Sequence, residues 1–254
     1  MAALDPDLLL RAYSVGVFPM ASTRDADDVF WVEPKKRGVL PLDAFHLSRS
    51  LAKTIRSDRY TVTVDRAFSD VVSHCAEATA RRPDTWINPD IEVAYAELHR
   101  RGYAHSVETW LGEELVGGLY GVRLGGAFFG ESMFSRANDA SKVALAYLVA
   151  RLKVGGFKLL DCQFLTEHLA SLGTIEVGRE AYIALLDKAL GLGSAVAAGG
   201  AAPSADFLAL ERGEGAAADA EIVSGPISGC RIVQLLGQTS HNGSSTTLSD
   251  GVSL

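Results

Sequence analysis

The stretch from Gly126 to Gln163 constrains this chain more than any other. It reads as two apolar, strand-like runs, Gly126-Ala-Phe-Phe-Gly-Glu-Ser-Met-Phe-Ser135 and Phe157-Lys-Leu-Leu-Asp-Cys-Gln163, with a helix between them. Leu145, Leu148, Val149 and Leu152 recur at i, i+3, i+4 and i+7 and give that helix an apolar face. Asn138-Asp139 offers its N-cap, and Gly155-Gly156 stops it. A strand, a crossover helix and a second strand bring the ends of neighbouring strands together. Each run also carries polar residues that an ordinary core strand would not hold. Glu131 interrupts the first, and Asp161 and Gln163 end the second. The pattern predicts that these three residues meet around one pocket.

With 254 residues, 48% of them hydrophobic, the chain can bury a full core, as one large domain or two small ones. No apolar run approaches the roughly 20 residues that span a bilayer. The start, Met-Ala-Ala-Leu-Asp-Pro, lacks the basic and apolar regions of a signal peptide. Three scattered cysteines, Cys75, Cys162 and Cys230, suit neither a disulfide framework nor a metal site. A cytoplasmic protein without membrane contact or metal is expected. The net charge of -7 disfavours a nucleic-acid partner globally, yet seven basic and three acidic residues between Trp31 and Tyr60 make a local excess of +4. A polyanion responds to that local field.

Taken in order, Asp5-Pro6 caps a short helix with Leu9, Ala12 and Tyr13 on its apolar face. Phe30–Pro34 is extended, with Trp31 read unaided as core, and Lys35-Lys36-Arg37 reads as a solvated loop. In the helix from His46 to Arg56, Leu47, Leu51 and Ile55 share one side, while Arg49, Lys53 and Arg56 form a basic stripe on another. That stripe is either a solvated face or a ridge for phosphates. Tyr60–Val64 alternates as a strand, and helices follow at Asp65–Cys75 and from Asn88-Pro89. Ala104–Trp110, Leu115–Arg123 and Ala127–Phe134 are successive strands, the last two joined by a Gly125-Gly126 turn. A short helix capped by Thr166 and an amphipathic helix over Glu180–Leu190 close the folded part. From Gly191 the composition shifts to Ala, Gly, Ser and Asp, with apolar islands at Phe207-Leu-Ala-Leu and Ile232-Val-Gln-Leu-Leu. A disordered tail is expected there.

Phosphate loops, His-Glu-x-x-His zinc sites and Gly-x-Ser-x-Gly elbows are all missing from the sequence. Strand alternation puts Asp161 and Gln163 on one face and Cys162 on the other, as core. A carboxylate beside an amide can orient an amine without a covalent intermediate; it can equally be a structural polar pair. The crossover pattern resembles the GNAT acyltransferase architecture, but Ser135–Lys142 has no glycine for the pyrophosphate of coenzyme A, and its Asp139 would repel one.

A more specific resemblance lies in eight ordered strings. They are Phe18-Pro19, His46-x-Ser48-Arg49-Ser50, Thr85-Trp86-Ile87, His105-Ser-Val-Glu108-x-Trp110, Leu115-Val-Gly-Gly-Leu-Tyr-Gly121, Gly130-Glu-Ser-Met-Phe-Ser135, Ala140-Ser-Lys142 and Asp161-Cys-Gln163. Together, from about residue 5 to 190, the chain resembles the leucyl/phenylalanyl-tRNA–protein transferases. The resemblance implies an α+β protein with a small N-terminal α/β domain over 1–60, a GNAT-like acyltransferase domain over 61–190 and the tail over 191–254. It implies a cofactor-free, monomeric enzyme that moves leucine or phenylalanine from aminoacyl-tRNA onto proteins with N-terminal arginine or lysine, marking them for N-end rule degradation. Asp161 and Gln163 would serve the acceptor amine, and Glu131 the amino group of the donor. Leu119, Phe128, Gly130, Met133, Leu145, Leu148 and Leu160 would line the donor side-chain pocket. Trp31, Trp86 and Tyr95 would lie near the terminal adenosine, and Arg49, Lys53 and Arg56 would take the acceptor stem.

Three positions depart from the family pattern. Phe129 replaces a frequent cysteine, Thr166 a common asparagine, and Leu119 a frequent methionine, the last bearing on the choice among leucine, phenylalanine and methionine. The rival readings are a coenzyme-A-dependent N-acetyltransferase and a non-catalytic tRNA-binding protein. Charge reversal at two of Arg49, Lys53 and Arg56 should weaken aminoacyl-tRNA binding and flatten its log–log salt slope by roughly 2. An unchanged slope in a salt titration would reduce the stripe to a solvated face.

Overall fold

The computed structural model describes residues 4–79, 83–192, 205–212 and 226–237. Helix α1 (Pro6–Ser14) starts at Asp5, whose carboxylate accepts from the Asp7 N–H at 2.9 Å. Strands β1 (Phe18–Met20) and β2 (Phe30–Val32) form an antiparallel ribbon. Then come β3 (Lys36–Val39), α2 (Arg49–Arg56), β4 (Thr61–Val64), α3 (Phe68–Ala76) and α4 (Pro89–Arg100). Ser48 caps α2 and Asn88 caps α4 through their side-chain oxygens, and Pro89 takes the first position of α4. A meander of β5 (Ala104–Leu111), β6 (Glu114–Leu124) and β7 (Ala127–Ser135) leads into α5 (Ala140–Val154) and β8 (Leu159–Gln163). The remainder comprises α6 (Glu167–Ala170), β9 (Ile175–Gly178), α7 (Arg179–Leu190), α8 (Ala209–Arg212) and α9 (Gly229–Gly237).

Among the described residues, seven strands form one mixed sheet in the order β4-β5-β6-β7-β8-β3-β9. The β7–β8 pair is parallel, with α5 as its crossover, and the other pairs are antiparallel. The fold is thus α+β. β3 lies inside this sheet between β8 and β9, so the sheet does not respect the break expected at residue 60. One core joins α2 and α5 to the sheet; the other joins α1, α3, α4 and α7 to it. Gly117 lets α5 approach closely, because a Cβ there would sit 2.6 Å from the Ala140 Cβ.

Two local expectations change. Asp139 does not cap α5: its backbone is left-handed, with φ 61°, and its carboxylate instead holds the Lys142 ammonium at 3.0 Å. The Ser135 hydroxyl accepts from the Ser141 N–H in its place. Nor is α5 half-exposed, since Tyr147, Ala150 and Arg151 are buried along with its apolar face. The cause is the C-terminal segment, whose two apolar islands are docked.

Phe207, Leu210 and Ile232 are buried. Phe207 stacks on His105 and Phe128, and its carbonyl accepts from Arg151, which also pairs with Glu211. Asp58, just beyond α2, accepts from the Gly229 N–H at 2.7 Å. Residues 205–212 and 226–237 are therefore part of the body, while residues 193–204, 213–225 and 238–254 of the expected tail lie outside the described residues. Burial of a few large apolar side chains outweighs a composition that is unfavourable on average. Phe207→Ala should cost about 3–5 kcal/mol and lower the melting temperature by roughly 10 °C. Thermal unfolding identical to the parent would show that the islands do not support the core.

Candidate active site

β7 and β8 pair over three residues, Ala127–Leu159, Phe128–Leu160 and Phe129–Asp161. Beyond that register Gly130 and Glu131 on one strand, and Cys162 and Gln163 on the other, border a cavity of about 270 Å³. Leu119, Met133, Leu145, Leu148 and Leu160 give it an apolar wall. Six of the seven predicted pocket residues are thus assembled there. Phe128 is the exception: it is fully buried with its ring on Phe207, outside the cavity lining. Tyr120, Ser132, Phe164, Thr166, His168 and Leu169 complete the lining and were not anticipated. Thr166 and Leu169 arrive together because the Thr166 hydroxyl caps the short α6.

Glu131 stands at the polar end. It accepts from the Tyr13 hydroxyl at 2.7 Å, the Tyr95 hydroxyl at 3.1 Å and the Gln163 Nε2 at 3.2 Å. The two phenols also hydrogen-bond to each other. Burial pushes the Glu131 carboxyl up to about 7 against the Tyr13 and Tyr95 hydroxyls, with the nearby Asp161 charge adding to the rise and the Arg37 charge opposing it. Burial, together with the Glu131 charge, holds both phenols well above their usual range, so they stay protonated donors. Tyr95, expected near the terminal adenosine, is fully buried with its hydroxyl on Glu131, and Tyr13, read as one more apolar residue of α1, had no expected role here.

Asp161 does not share a face with Gln163. It is fully buried and outside the cavity, while Cys162 is half-buried in the cavity wall. The reason is Gln163, whose left-handed φ of 55° breaks the alternation and swings its side chain towards Glu131. Burial pushes the Cys162 thiol up to about 12, which keeps it an inert thiol in that wall. Every donor around Asp161 is supplied by the protein itself. Arg37 gives Nε at 2.9 and 3.0 Å and Nη2 at 2.6 Å, Tyr182 its hydroxyl at 2.7 Å, and Gln163 its N–H at 2.8 Å. Arg37 is equally buried, lies 4.7 and 4.6 Å from the Phe18 and Tyr182 ring centres, and donates to the Gly16 carbonyl at 2.9 Å. The basic cluster had suggested a solvated loop. Lys35 and Lys36 are exposed, Lys35 ahead of the strand and Lys36 at its first position, while β3 turns Arg37 inward.

Trp31 is 39% exposed on β2, and Trp86 is packed partly against the second core. Arg49, Lys53 and Arg56 are exposed, whereas Leu51 and Ile55 are buried, so α2 is two-faced as expected. His168 lies on the cavity rim, and burial followed by the nearby Lys142 charge lowers its titration. Among the described residues there is no cluster of ligating side chains that could hold a metal ion. Nor is any described helix long and apolar enough to cross a membrane.

A family model for leucyl/phenylalanyl-tRNA protein transferase matches residues 39–187, and one for the N-terminal domain of the same family matches residues 2–35. The chain belongs to this family. The transferase of Rhizorhabdus wittichii is 70% identical over 251 residues, covering 94% of this chain and 100% of that protein. The Zymomonas mobilis transferase is 66% identical over 187 residues, covering 74% and 70% respectively. The Afipia carboxidovorans transferase is 54% identical over 213 residues, covering 83% and 94%. Among solved structures, the crystal structure of FemX overlaps 68% of this chain and 66% of its own, at 12% identity and a TM-score of 0.44. Both docked C-terminal stretches of this transferase family member lie beyond residue 187, where the family model ends.

The raised Glu131 carboxyl makes stability pH-dependent. A carboxyl that is harder to ionise when folded favours folding fully below its unfolded value, and the benefit is lost as pH rises through about 7. Glu131→Gln removes that loss. The variant should match the parent near pH 4 and exceed it by roughly 1–3 kcal/mol at pH 8, the figure being trimmed by water reaching the cavity. Chemical denaturation at the two pH values measures this, and a difference independent of pH would rule out a carboxyl titrating there.

Proposed function

We propose that this chain is a leucyl/phenylalanyl-tRNA–protein transferase that moves leucine or phenylalanine from aminoacyl-tRNA to the α-amino group of proteins beginning with arginine or lysine. The observation that carries the reading is the Gln163–Glu131 hydrogen bond at the polar end of the apolar cavity. In this reading the donor side chain enters the cavity, Glu131 holds the donor amino group, and Gln163 orients the incoming amine. The amine nitrogen bonds to the ester carbon, the bond from that carbon to the ribose oxygen breaks, and the proton lost by the amine ends on the released hydroxyl. An ester is activated relative to the amide formed, so positioning and stabilisation of the oxyanion suffice. The apolar wall distinguishes similar side chains by only about 1–3 kcal/mol per methylene, which suits shared use of leucine and phenylalanine. The exposed face of α2 would take the acceptor stem, with Trp31 and Trp86 near the terminal adenosine. The forked β7–β8 pair with its crossover helix is what a GNAT-like catalytic unit would require.

Purified protein should transfer labelled leucine from leucyl-tRNA to a peptide beginning with arginine and leave a glutamate-led peptide unlabelled. Gln163→Ala should slow single-turnover transfer by about 100-fold, the scale expected when a positioning contact is lost, with aminoacyl-tRNA binding kept within about 2-fold. Transfer by Gln163→Ala at the parent rate would remove Gln163 from the reaction.

A further inference from the structure

We propose that Arg37 is a positioning residue for transfer, acting through Asp161 to hold Gln163 in the conformation the reaction needs. The inference rests on the transferase reading for its chemistry but on the contacts alone for its geometry. Asp161 is fully buried and outside the cavity lining, and its oxygens accept from Arg37, Tyr182 and the Gln163 N–H. An incoming amine therefore meets Gln163 and not Asp161. What Asp161 supplies is the acceptor for the Gln163 backbone N–H, at a residue whose φ is 55°. A non-glycine residue adopts that left-handed conformation only when its surroundings hold it there. The same conformation carries Nε2 to 3.2 Å from Glu131.

Asp161 can play this part only if its own position is fixed, and Arg37 fixes it. Nε and Nη2 grip both carboxylate oxygens, Nη1 donates to the Gly16 carbonyl, and the guanidinium lies between the Phe18 and Tyr182 rings. This is planar, two-pronged recognition, which the single ammonium of lysine cannot reproduce. The orientation of the reacting amine thus depends on a cation supplied by a strand about 120 residues earlier, one that touches no substrate.

Four variants of the full chain test this: Arg37→Lys, Arg37→Gln, Asp161→Asn, and Arg37→Gln combined with Asp161→Asn, which removes both buried charges. Each is measured for single-turnover transfer, aminoacyl-tRNA binding and hydrogen exchange at the Gln163 amide. We expect Arg37→Lys to slow transfer by about 10- to 100-fold with tRNA binding changed less than about 2-fold. We expect its Gln163 amide to exchange at least about 10-fold faster, while amides in the centre of β6 keep their protection. The double variant should be no slower than Asp161→Asn alone, because both changes break one device.

A purely structural role predicts otherwise: folded protein would transfer at the parent rate, with loss only in proportion to the unfolded fraction. That result overturns the proposal, as does a full Arg37→Gln penalty added to that of Asp161→Asn. Unchanged Gln163 exchange in Arg37→Lys overturns it as well. If Arg37→Gln alone does not fold, Arg37→Lys and the charge-free double variant decide the matter. If the parent shows no transfer at all, the transferase reading fails, and amide exchange still decides whether Arg37 positions Gln163.

Discussion

The buried ion pair of Arg37 and Asp161 is the contact on which the arrangement of the site depends. Taking both charges out of water is expensive, and attraction alone does not always repay it. Here the carboxylate gains a neutral phenol and a backbone N–H besides the guanidinium, and the guanidinium gains a backbone carbonyl and two ring faces. Breaking such a pair by removing one partner costs about 3–5 kcal/mol. The pair also joins distant parts of the chain: β3, the loop after α1, β8 and α7 all meet on it. β3 therefore belongs between β8 and β9 for an electrostatic reason as well as for its ladder of backbone hydrogen bonds.

Glu131 is the counterpart to Asp161 in the same sheet. One carboxylate faces a cation; the other faces two phenols and an amide. With no cation in contact to offset burial, Glu131 sits near the middle of the pH scale. It can thus accept a positively charged amino group without holding a permanent counter-ion that the ligand would have to displace. Two carboxyl groups whose surroundings differ in this way are suited to different tasks, and on the proposed reading Asp161 is structural while Glu131 faces the ligand.

Much of this was legible in the sequence, and the failures share a physical cause. The strand–helix–strand unit and the polar interruption at Glu131 follow from local periodicity, which reports what is near in the chain, whereas the apolar wall is implied only by the family resemblance. Gln163 was paired with Asp161 because alternation assumes extended backbone, and a single left-handed residue breaks that assumption. Arg37 was hidden in a run of three basic residues, since nothing local distinguishes the one whose partner lies at position 161. The docked islands at Phe207 and Ile232 were visible as apolar patches, but the grooves that receive them are built by α2, α5 and β7, far earlier in the chain. Phe128 was assigned to the pocket on resemblance and turns out to serve as the bed for Phe207.

The place of β3 in the sheet has a consequence for how the protein is made. Residues 36–39 lie between two strands, 159–163 and 175–178, that leave the ribosome long afterwards. At about 5–20 residues per second, β3 waits roughly 7–28 s before both neighbours exist. Throughout that interval the Arg37 side chain remains in water, and the meander of β5, β6 and β7 can already have formed. The N-terminal third of a nascent chain is thus an unfinished half-site, completed only after residue 178 has been made. Slowing translation between residues 40 and 159 would lengthen the life of that unpaired strand without altering the mature fold.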